Sequence, residues 1–246
     1  MTAVATQNYP SPGAAEGKKA DVANMFDTIA PRYDFLNRIL SMGIDQGWRK
    51  RVISMVMEGA PGRVLDVATG TGDLAIAAAQ AGAGEVVGVD IAKEMLAVGR
   101  RKLPARKLEK RVTLCYGDAE NLPFDDDSFD AATVAFGVRN FENLDAGLTD
   151  MGRVMRPGAR LVILEFSQPT AFPVKQVYGF YSRHILPRIG GWLSGDSGAY
   201  RYLPDSIAVF PHGEAFLERM RAAGYTDVRQ KRLTFGIASI YDGRVA

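Results

Sequence analysis

Two glycines and four aspartates stand at spacings that suit ligand binding. The segment RVLDVATGTGDLAIAAA runs from a β-branched stretch into a turn with Gly70, Thr71 and Gly72, then into a small-residue helix pattern that includes Ala75. Glycines at such a strand-to-helix turn let the chain bend tightly and let its backbone approach a ligand. Asp90 closes the next strand-like run, twenty residues after Gly70, where a carboxylate can take the hydroxyls of a ribose. A tight turn with a capping acid would show the same spacing, so Asp73 is the discriminating residue. It falls in the first turn of the following helix, where a pyrophosphate needs bare N–H groups and the positive end of the helix dipole. A carboxylate there repels phosphate. Asp66, Asp73, Asp90 and Asp118 together gather negative charge at the C-terminal edge of the predicted sheet, where open α/β sheets bind ligands. The ligand this favours is a cationic nucleoside.

The elements that must position these residues can be read from periodicity. Between Arg63 and Ser167, β-branched runs at 64–68, 86–90, 112–116, 131–136 and 160–166 alternate with helical patterns at 74–81, 93–103 and 144–155. Such alternation predicts a parallel sheet covered by helices, with right-handed crossovers. A further helix at 215–224 precedes strand-like runs at 227–232 and 234–240. The gap between those two runs is too short for a parallel return, so they must form an antiparallel hairpin. The expected fold is α/β, a doubly wound Rossmann-like sheet with that hairpin at one edge.

Residues 1–20 are small and polar and read as a flexible tail, not a signal peptide. A helix capped by Asp21 follows, carrying Val22, Met25, Phe26 and Ile29; a second carries Phe35, Leu36, Ile39 and Leu40; a third starts near Asp45. Residues 21–246 are therefore expected to form one domain, with 21–60 as an N-terminal helical cap.

DVATGTGD, the run ending at Asp90, and GDAENLPFDDDSFD resemble successive motifs of class I S-adenosylmethionine-dependent methyltransferases. S-adenosylmethionine is a cationic nucleoside without phosphate. The resemblance implies a seven-stranded sheet, with Gly70 to Gly72 under the methionine part and Asp90, beside Ile91, on the ribose. Asp118 and Ala119 would reach the adenine. Asp118 can also be read as a turn residue, and Asp125, Asp126 and Asp127 as a solvated acidic turn.

On the acceptor side, ATVAFGVRNF places Arg139 and Asn140 just past the fourth strand. A guanidinium beside an amide suits an oxygen acceptor that becomes anionic. Stabilising phenolate lowers the phenol's pKa and puts electron density on the ortho carbon, which carbon methylation requires. Arg139 could instead pair with Glu142 or another acid and tether the loop.

APRYDFLNRILSMGIDQGWRK, AFGVRNF and RVMRPGARLVILEFSQP resemble the signatures of the UbiE/MenG family of quinone-biosynthetic carbon methyltransferases, across nearly all of residues 25–243. The sequence departs from the family pattern at Asp45 (usually His), Arg156 (Lys), Ala159 (Gly), Ala135 (often Ser, so a side-chain contact to the cofactor is lost) and Asp118 (often Asn). The resemblance implies methylation of a polyprenylated quinol. The acceptor is demethylmenaquinol or its ubiquinone-pathway counterpart, and TGTGD with GFYSRHILPRIGG favours the menaquinone branch. Arg139 and Asn140 would hold the acceptor, with Tyr33 or Asp34 closing the pocket. A small-molecule O- or N-methyltransferase and a nucleoside- or NAD-binding protein are the alternatives.

Residues 168–205 form an aromatic and basic insert, with Phe172, Tyr178, Phe180, Tyr181, Ile185, Leu186, Ile189 and Trp192 among Lys175, Arg183 and Arg188. With the N-terminal helices this insert should build the acceptor pocket, with Tyr178, Tyr181, Tyr200 and Tyr202 as pocket candidates. Part of it should touch a membrane surface, since mixed aromatic and basic stretches suit the interface. His184 reads as a polar-face residue.

Composition bounds the rest. The 246 residues are 47% hydrophobic, 24% charged and 9% aromatic, an ordinary globular make-up that excludes global disorder. One Cys and two His make neither a disulfide nor a typical structural zinc site, so no metal is expected and the protein is expected in the cytoplasm, peripheral on the inner face of its membrane if it touches one. Cys115 reads as a small buried residue. A net charge of +2 with scattered bases argues against a nucleic-acid partner. No apolar run reaches membrane-spanning length. A homodimer stays open.

Overall fold

A computed structural model describes residues 17–181 and 198–246; of the helix that begins at 198, side chains are described from Tyr202. Most of the expected tail, and the insert residues Arg183, His184, Ile185, Leu186, Arg188, Ile189 and Trp192, lie outside the described residues. Nothing is described of the Tyr200 side chain either.

The strands are β1 (Arg63–Val67), β2 (Glu85–Asp90), β3 (Val112–Tyr116), β4 (Phe129–Ala135), β5 (Met155–Phe166), β6 (Tyr225–Leu233) and β7 (Ala238–Val245), in the sheet order β3-β2-β1-β4-β5-β7-β6. β1 pairs in parallel with β2 and β4, while β7 runs antiparallel between β5 and β6. The expected doubly wound sheet and its antiparallel hairpin are both present. The chain order reverses on either side of β1, which opens a crevice at the C-terminal ends of β1 and β4.

Alternation along each strand feeds two cores. Leu65 and Val67 of β1 join Phe129, Leu148, Met151, Phe216 and Tyr241 on one face. Val64 joins Trp48, Val52, Leu74, Val86 and Ile240 on the other. Helix α3 (Ile44–Val56) and helix α4 (Asp73–Gln80) cover the second face, and α6 (Leu144–Val154) and α9 (Glu214–Ala222) the first. The remaining α-helices among the described residues are α1 (Lys18–Ile29), α2 (Tyr33–Leu40), α5 (Lys93–Lys102), α7 (Val174–Phe180) and α8 (Gly198–Val209).

Three element starts differ from the sequence expectation by more than two residues. Helix α1 begins at Lys18, with Gly17 at the cap position and Asp21 inside the first turn. Tertiary ties hold the extra turn: Lys18 Nζ donates to the Phe141 carbonyl at 2.8 Å, and Lys19 reaches Asp118. Strand β5 starts at Met155, which pairs with Phe129; a register shift then absorbs the Arg-Pro-Gly segment before Arg160 meets Ala131. Strand β7 starts at Ala238, because Thr234–Gly236 form a tight turn with Phe235 left-handed at φ 57°.

Candidate active site

The turn after β1 is built on positive φ at Gly70 (56°) and Gly72 (75°), a region that favours glycine. Asp66 braces it from below. Its fully buried Oδ2 accepts from Thr69 Oγ1 at 2.5 Å and from the Ala75 N–H at 3.1 Å, and burial pushes its pKa up to about 7. Asp90 fastens the turn to the end of β2: Oδ2 accepts from the Gly70 N–H at 2.7 Å and Oδ1 from the Ala92 N–H at 2.8 Å. Burial raises Asp90 to about 6.

A cleft of about 70 Å³ opens over this turn, lined by Gly70, Asp90, Ile91, Asp118, Ala119, Ala135 and Asn140. The structure therefore brings together most of the expected cofactor residues, from the ends of four strands. Asp66 and Gly72 lie beneath or behind the turn, and Thr71 and Asp73 lie on its outer side. Two charge assignments need correction. Asp73 is not a bare carboxylate: Lys102, in the last turn of α5, sits 2.7 Å from its Oδ1, where a helix C-terminus favours a cation. Asp34 does not close the acceptor pocket either. It accepts from Thr71 Oγ1 at 2.6 Å and pairs with the same Lys102 at 2.5 Å, so it ties α2 to the turn.

Lys19 of α1 also lines the cleft, with Nζ 2.7 Å from Asp118 Oδ2 and 2.9 Å from Glu120 Oε2. The donor and acceptor set suits a cationic nucleoside: carboxylates at two strand ends, a left-handed glycine, and apolar walls from Ile91, Met95 and Phe141. The volume is below the roughly 300 Å³ of ordinary ligand pockets, and Lys19, Val22 and Phe26 of α1 stand in its wall.

A larger cavity of about 420 Å³ adjoins the cleft, and Phe26, Tyr33 and Phe136 border both. Its walls are mostly apolar. They come from α1, α2, α3, the insert residues Val177, Tyr178, Tyr181 and Tyr202, and Thr234 and Ile237 of the final hairpin. Trp48 Nε1 donates to Thr234 Oγ1 at 2.9 Å, which pins that hairpin turn to α3. Burial raises the phenols of Tyr33, Tyr178 (to about 12), Tyr181 and Tyr202, so they are neutral hydrogen-bonding groups at neutral pH.

Arg139 lines this cavity and is itself buried. Its acidic partner is Glu165, at the end of β5, not Glu142: Nη1 lies 2.9 Å from Oε1. Nη1 also donates to the Phe136 carbonyl, and Nε donates to Ser206 Oγ at 3.2 Å. Glu165 is fully buried and accepts the backbone N–H groups of Phe166 at 2.8 Å and Arg139 at 3.3 Å. Burial raises its pKa and Arg139 opposes the rise. Asn140 faces the cleft, and its Oδ1 accepts from Tyr202 OH at 3.1 Å. Sequence reasoning missed Glu165, Ser206, Lys19, Lys102 and Arg49. Only Glu165 carried a signal, as a charge inside the apolar run RLVILEF. Cys115 is buried in β3, and burial raises its thiol to about 12.

The strand order, the glycine turn after β1 and the carboxylate ending β2 define a class I S-adenosylmethionine-dependent methyltransferase. The fold is shared with solved structures of the [4+2]-cyclase SpnF (TM-score 0.68, 19% identity, 95% of this chain and 97% of that one) and of a possible histamine N-methyltransferase from Thermotoga maritima (TM-score 0.61, 17% identity, 91% and 99%). The ubiE/COQ5 methyltransferase family matches residues 14–244, and the chain belongs to that family. It is 51% identical over 220 residues to a demethylmenaquinone methyltransferase of Thermus thermophilus, covering 89% of this chain and 99% of the relative. It is 45% identical over 240 residues to a protein of the same name from Bacteroides fragilis (95% and 98%). It is 47% identical over 224 residues to a ubiquinone/menaquinone biosynthesis C-methyltransferase UbiE of Geobacter sulfurreducens (90% and 87%).

Proposed function

We propose that this enzyme methylates a ring carbon of a polyprenylated quinol, demethylmenaquinol, to give menaquinol. The observation that carries this reading is the large apolar cavity that meets the nucleoside cleft at Tyr33 and Phe136 and holds Arg139 in its wall. Such a chamber suits a hydroquinone ring followed by an isoprenoid chain. Bound S-adenosylmethionine supplies the electrophilic methyl group. Gly70, Asp90, Ile91, Asp118, Ala119 and Ala135 would hold it.

The chain's own contribution is alignment, exclusion of water and control of one proton. Phe26, Tyr33 and Phe136 at the junction keep water from the reacting atoms and confine the ring to an in-line approach. Arg139 has Nε and Nη1 committed to protein acceptors, so, among the described residues, Nη2 is the nitrogen left for the quinol oxygen. With Glu165 beside it the pair is close to neutral. Arg139 therefore favours phenolate as an oriented hydrogen-bond donor more than as a net positive charge, and the electron density it favours lies on the ortho carbon. Asn140, held by Tyr202, would orient the hydroxyl.

Exposed apolar side chains accompany the cavity lining: Met42 (77%) lines it, and Phe172 (81%), Phe180 (61%) and Phe235 (78%) are chain neighbours of the lining residues Pro173, Tyr181 and Thr234, in segments that also carry Lys175 and Arg232. Among the described residues no helix is long and apolar enough to cross a membrane. Those side chains would instead rest on the surface and admit the prenyl chain, which predicts flotation with anionic liposomes. Absence of binding, with activity on native membranes intact, would remove the surface contact.

The substrate is tested by incubating the protein with S-adenosylmethionine and reduced demethylmenaquinone. Mass spectrometry should find one added methyl on the ring, and catechol and amine acceptors should be inert. Quinones extracted from a deletion strain should shift from menaquinone to demethylmenaquinone. Accumulation of the unmethylated 2-polyprenyl-6-methoxy-1,4-benzoquinol skeleton alone would move the assignment to the ubiquinone branch, and methylation of amines or catechols alone would overturn it.

A further inference from the structure

Among the described residues, Arg49 is the second cation of the acceptor cavity, and its situation differs from that of Arg139. It lies on α3 one turn after Asp45, and both residues line the cavity. Its Nε reaches Asp45 Oδ2 at 3.4 Å, a long contact, while Ser41 Oγ holds the other carboxylate oxygen at 2.7 Å. Among the described residues, Nη1 and Nη2 of Arg49 donate to no protein group. Arg139 has only one such nitrogen. The two guanidinium groups flank one aromatic pair: Arg49 is 5.5 Å from the Phe136 ring centroid, Phe136 lies 4.5 Å from Phe166, and Arg139 is 5.5 Å from Phe166.

A 1,4-dihydroxy ring carries oxygens at opposite ends. Carbon methylation needs only the one ortho to the reacting carbon, so a site that grips the far oxygen as well sets both register and selectivity. We propose that Arg49, positioned by Asp45 and Ser41, binds the ring oxygen para to the one held at Arg139, and that this contact makes the enzyme selective for 1,4-diols. The free Nη groups donate to that oxygen. Asp45, only loosely engaged by Arg49, can accept its hydrogen. Asp45 and Arg49 are largely buried at the cavity wall, with 14% and 20% side-chain exposure, so an unmatched guanidinium there disfavours acceptors that lack the second oxygen.

The inference rests on the quinol reading of the cavity, and the test separates the two. Reduced demethylmenaquinone is compared with a 1-naphthol bearing the same side chain and a free ortho carbon, in wild type, R49Q, R49K and D45N. Wild type should prefer the diol by about 10- to 100-fold in kcat/KM, as expected for a hydrogen bond to a charged group. In R49Q the preference should collapse to within about threefold, through loss on the diol, with S-adenosylhomocysteine affinity and melting temperature retained. R49K should restore part of the preference. D45N, the milder change, should narrow it even if R49Q fails to fold. A preference that persists in folded R49Q or D45N, or equal losses on both acceptors, overturns the inference while the quinol reading stands. Methylation of neither ring by wild type overturns both.

Discussion

Glu165 and Arg139 form the most deeply buried ion pair described, with side-chain exposures of 0% and 6%. Removing one partner strands the other charge in a low-dielectric interior, which costs about 3–5 kcal/mol. For a domain of this size each kcal/mol lowers the melting temperature by roughly 2–4 °C, so R139M should melt about 6–20 °C below wild type. The double variant R139M/E165L leaves no stranded charge and should recover most of that loss. The pH dependence has a definite sign. Burial already raises the Glu165 pKa, and losing Arg139 raises it further. A carboxyl with a raised folded-state pKa is best tolerated below its unfolded value and destabilises as pH climbs through the folded one. R139M should therefore lie nearest wild type at pH about 5 and furthest at pH about 8. Calorimetric melting at both pH values, paired with turnover assays, measures this. Every variant lacking Arg139 should lose turnover, including the stable double variant, while keeping its affinity for S-adenosylhomocysteine. A drop below about 3 °C in R139M, or a double variant showing the plain sum of the single losses, would refute the buried-pair reasoning.

Four further outcomes follow from the geometry. In the proposed site Asp90 takes the ribose hydroxyls as a carboxylate, and it is raised to about 6, so S-adenosylhomocysteine affinity measured by calorimetry should fall up to tenfold per pH unit below that value; flat affinity down to pH 5 would count against its role. Asp66 is raised to about 7, so wild type should lose stability as pH rises from about 4 to about 7; in D66N, whose amide oxygen can keep both bonds, the fall in urea midpoint over that range should be shallower, with the shares of Asp90 and Glu165 remaining. A Cβ on Gly137 would lie 2.4 Å from that of Ala68, so G137A should cost about 1–3 kcal/mol by overpacking and depress turnover by shifting the Arg139 turn. Lys19 ties α1 across the cleft to Asp118 and Glu120, so K19M should speed cofactor association several-fold in stopped-flow measurements, and a slower rate would show that Lys19 helps to gather the ligand.

Local chemistry was legible in the sequence. The alternation of strands and helices, the turn at Gly70 and Gly72, the carboxylate of Asp90 at a strand end and the antiparallel hairpin all follow from short-range periodicity and backbone constraint. Each of these depends on neighbours within about one element, so the order of residues contains it. The cap at Asp21 failed because a contact from Lys19 to Asp118 extends α1, and the start of β7 shifted because the chain turns at Thr234–Gly236 before Ala238 takes up its pairing with Phe166 of β5.

Charge compensation and cavity shape belong to the tertiary structure alone. Asp73 reads as a bare acid until α5 brings Lys102 to it, and Arg139 reads either as a free cation or as one tied to Glu142 or another acid until β5 places Glu165 beside it. The acceptor cavity draws on α1, α2, α3, the insert and the turn at Thr234, segments up to two hundred residues apart. An ion pair depends on distance in space, and a cavity on the surfaces that enclose it. The sheet order, which carries β7 in beside β5, brings those groups together, and no local pattern of residues encodes that placement.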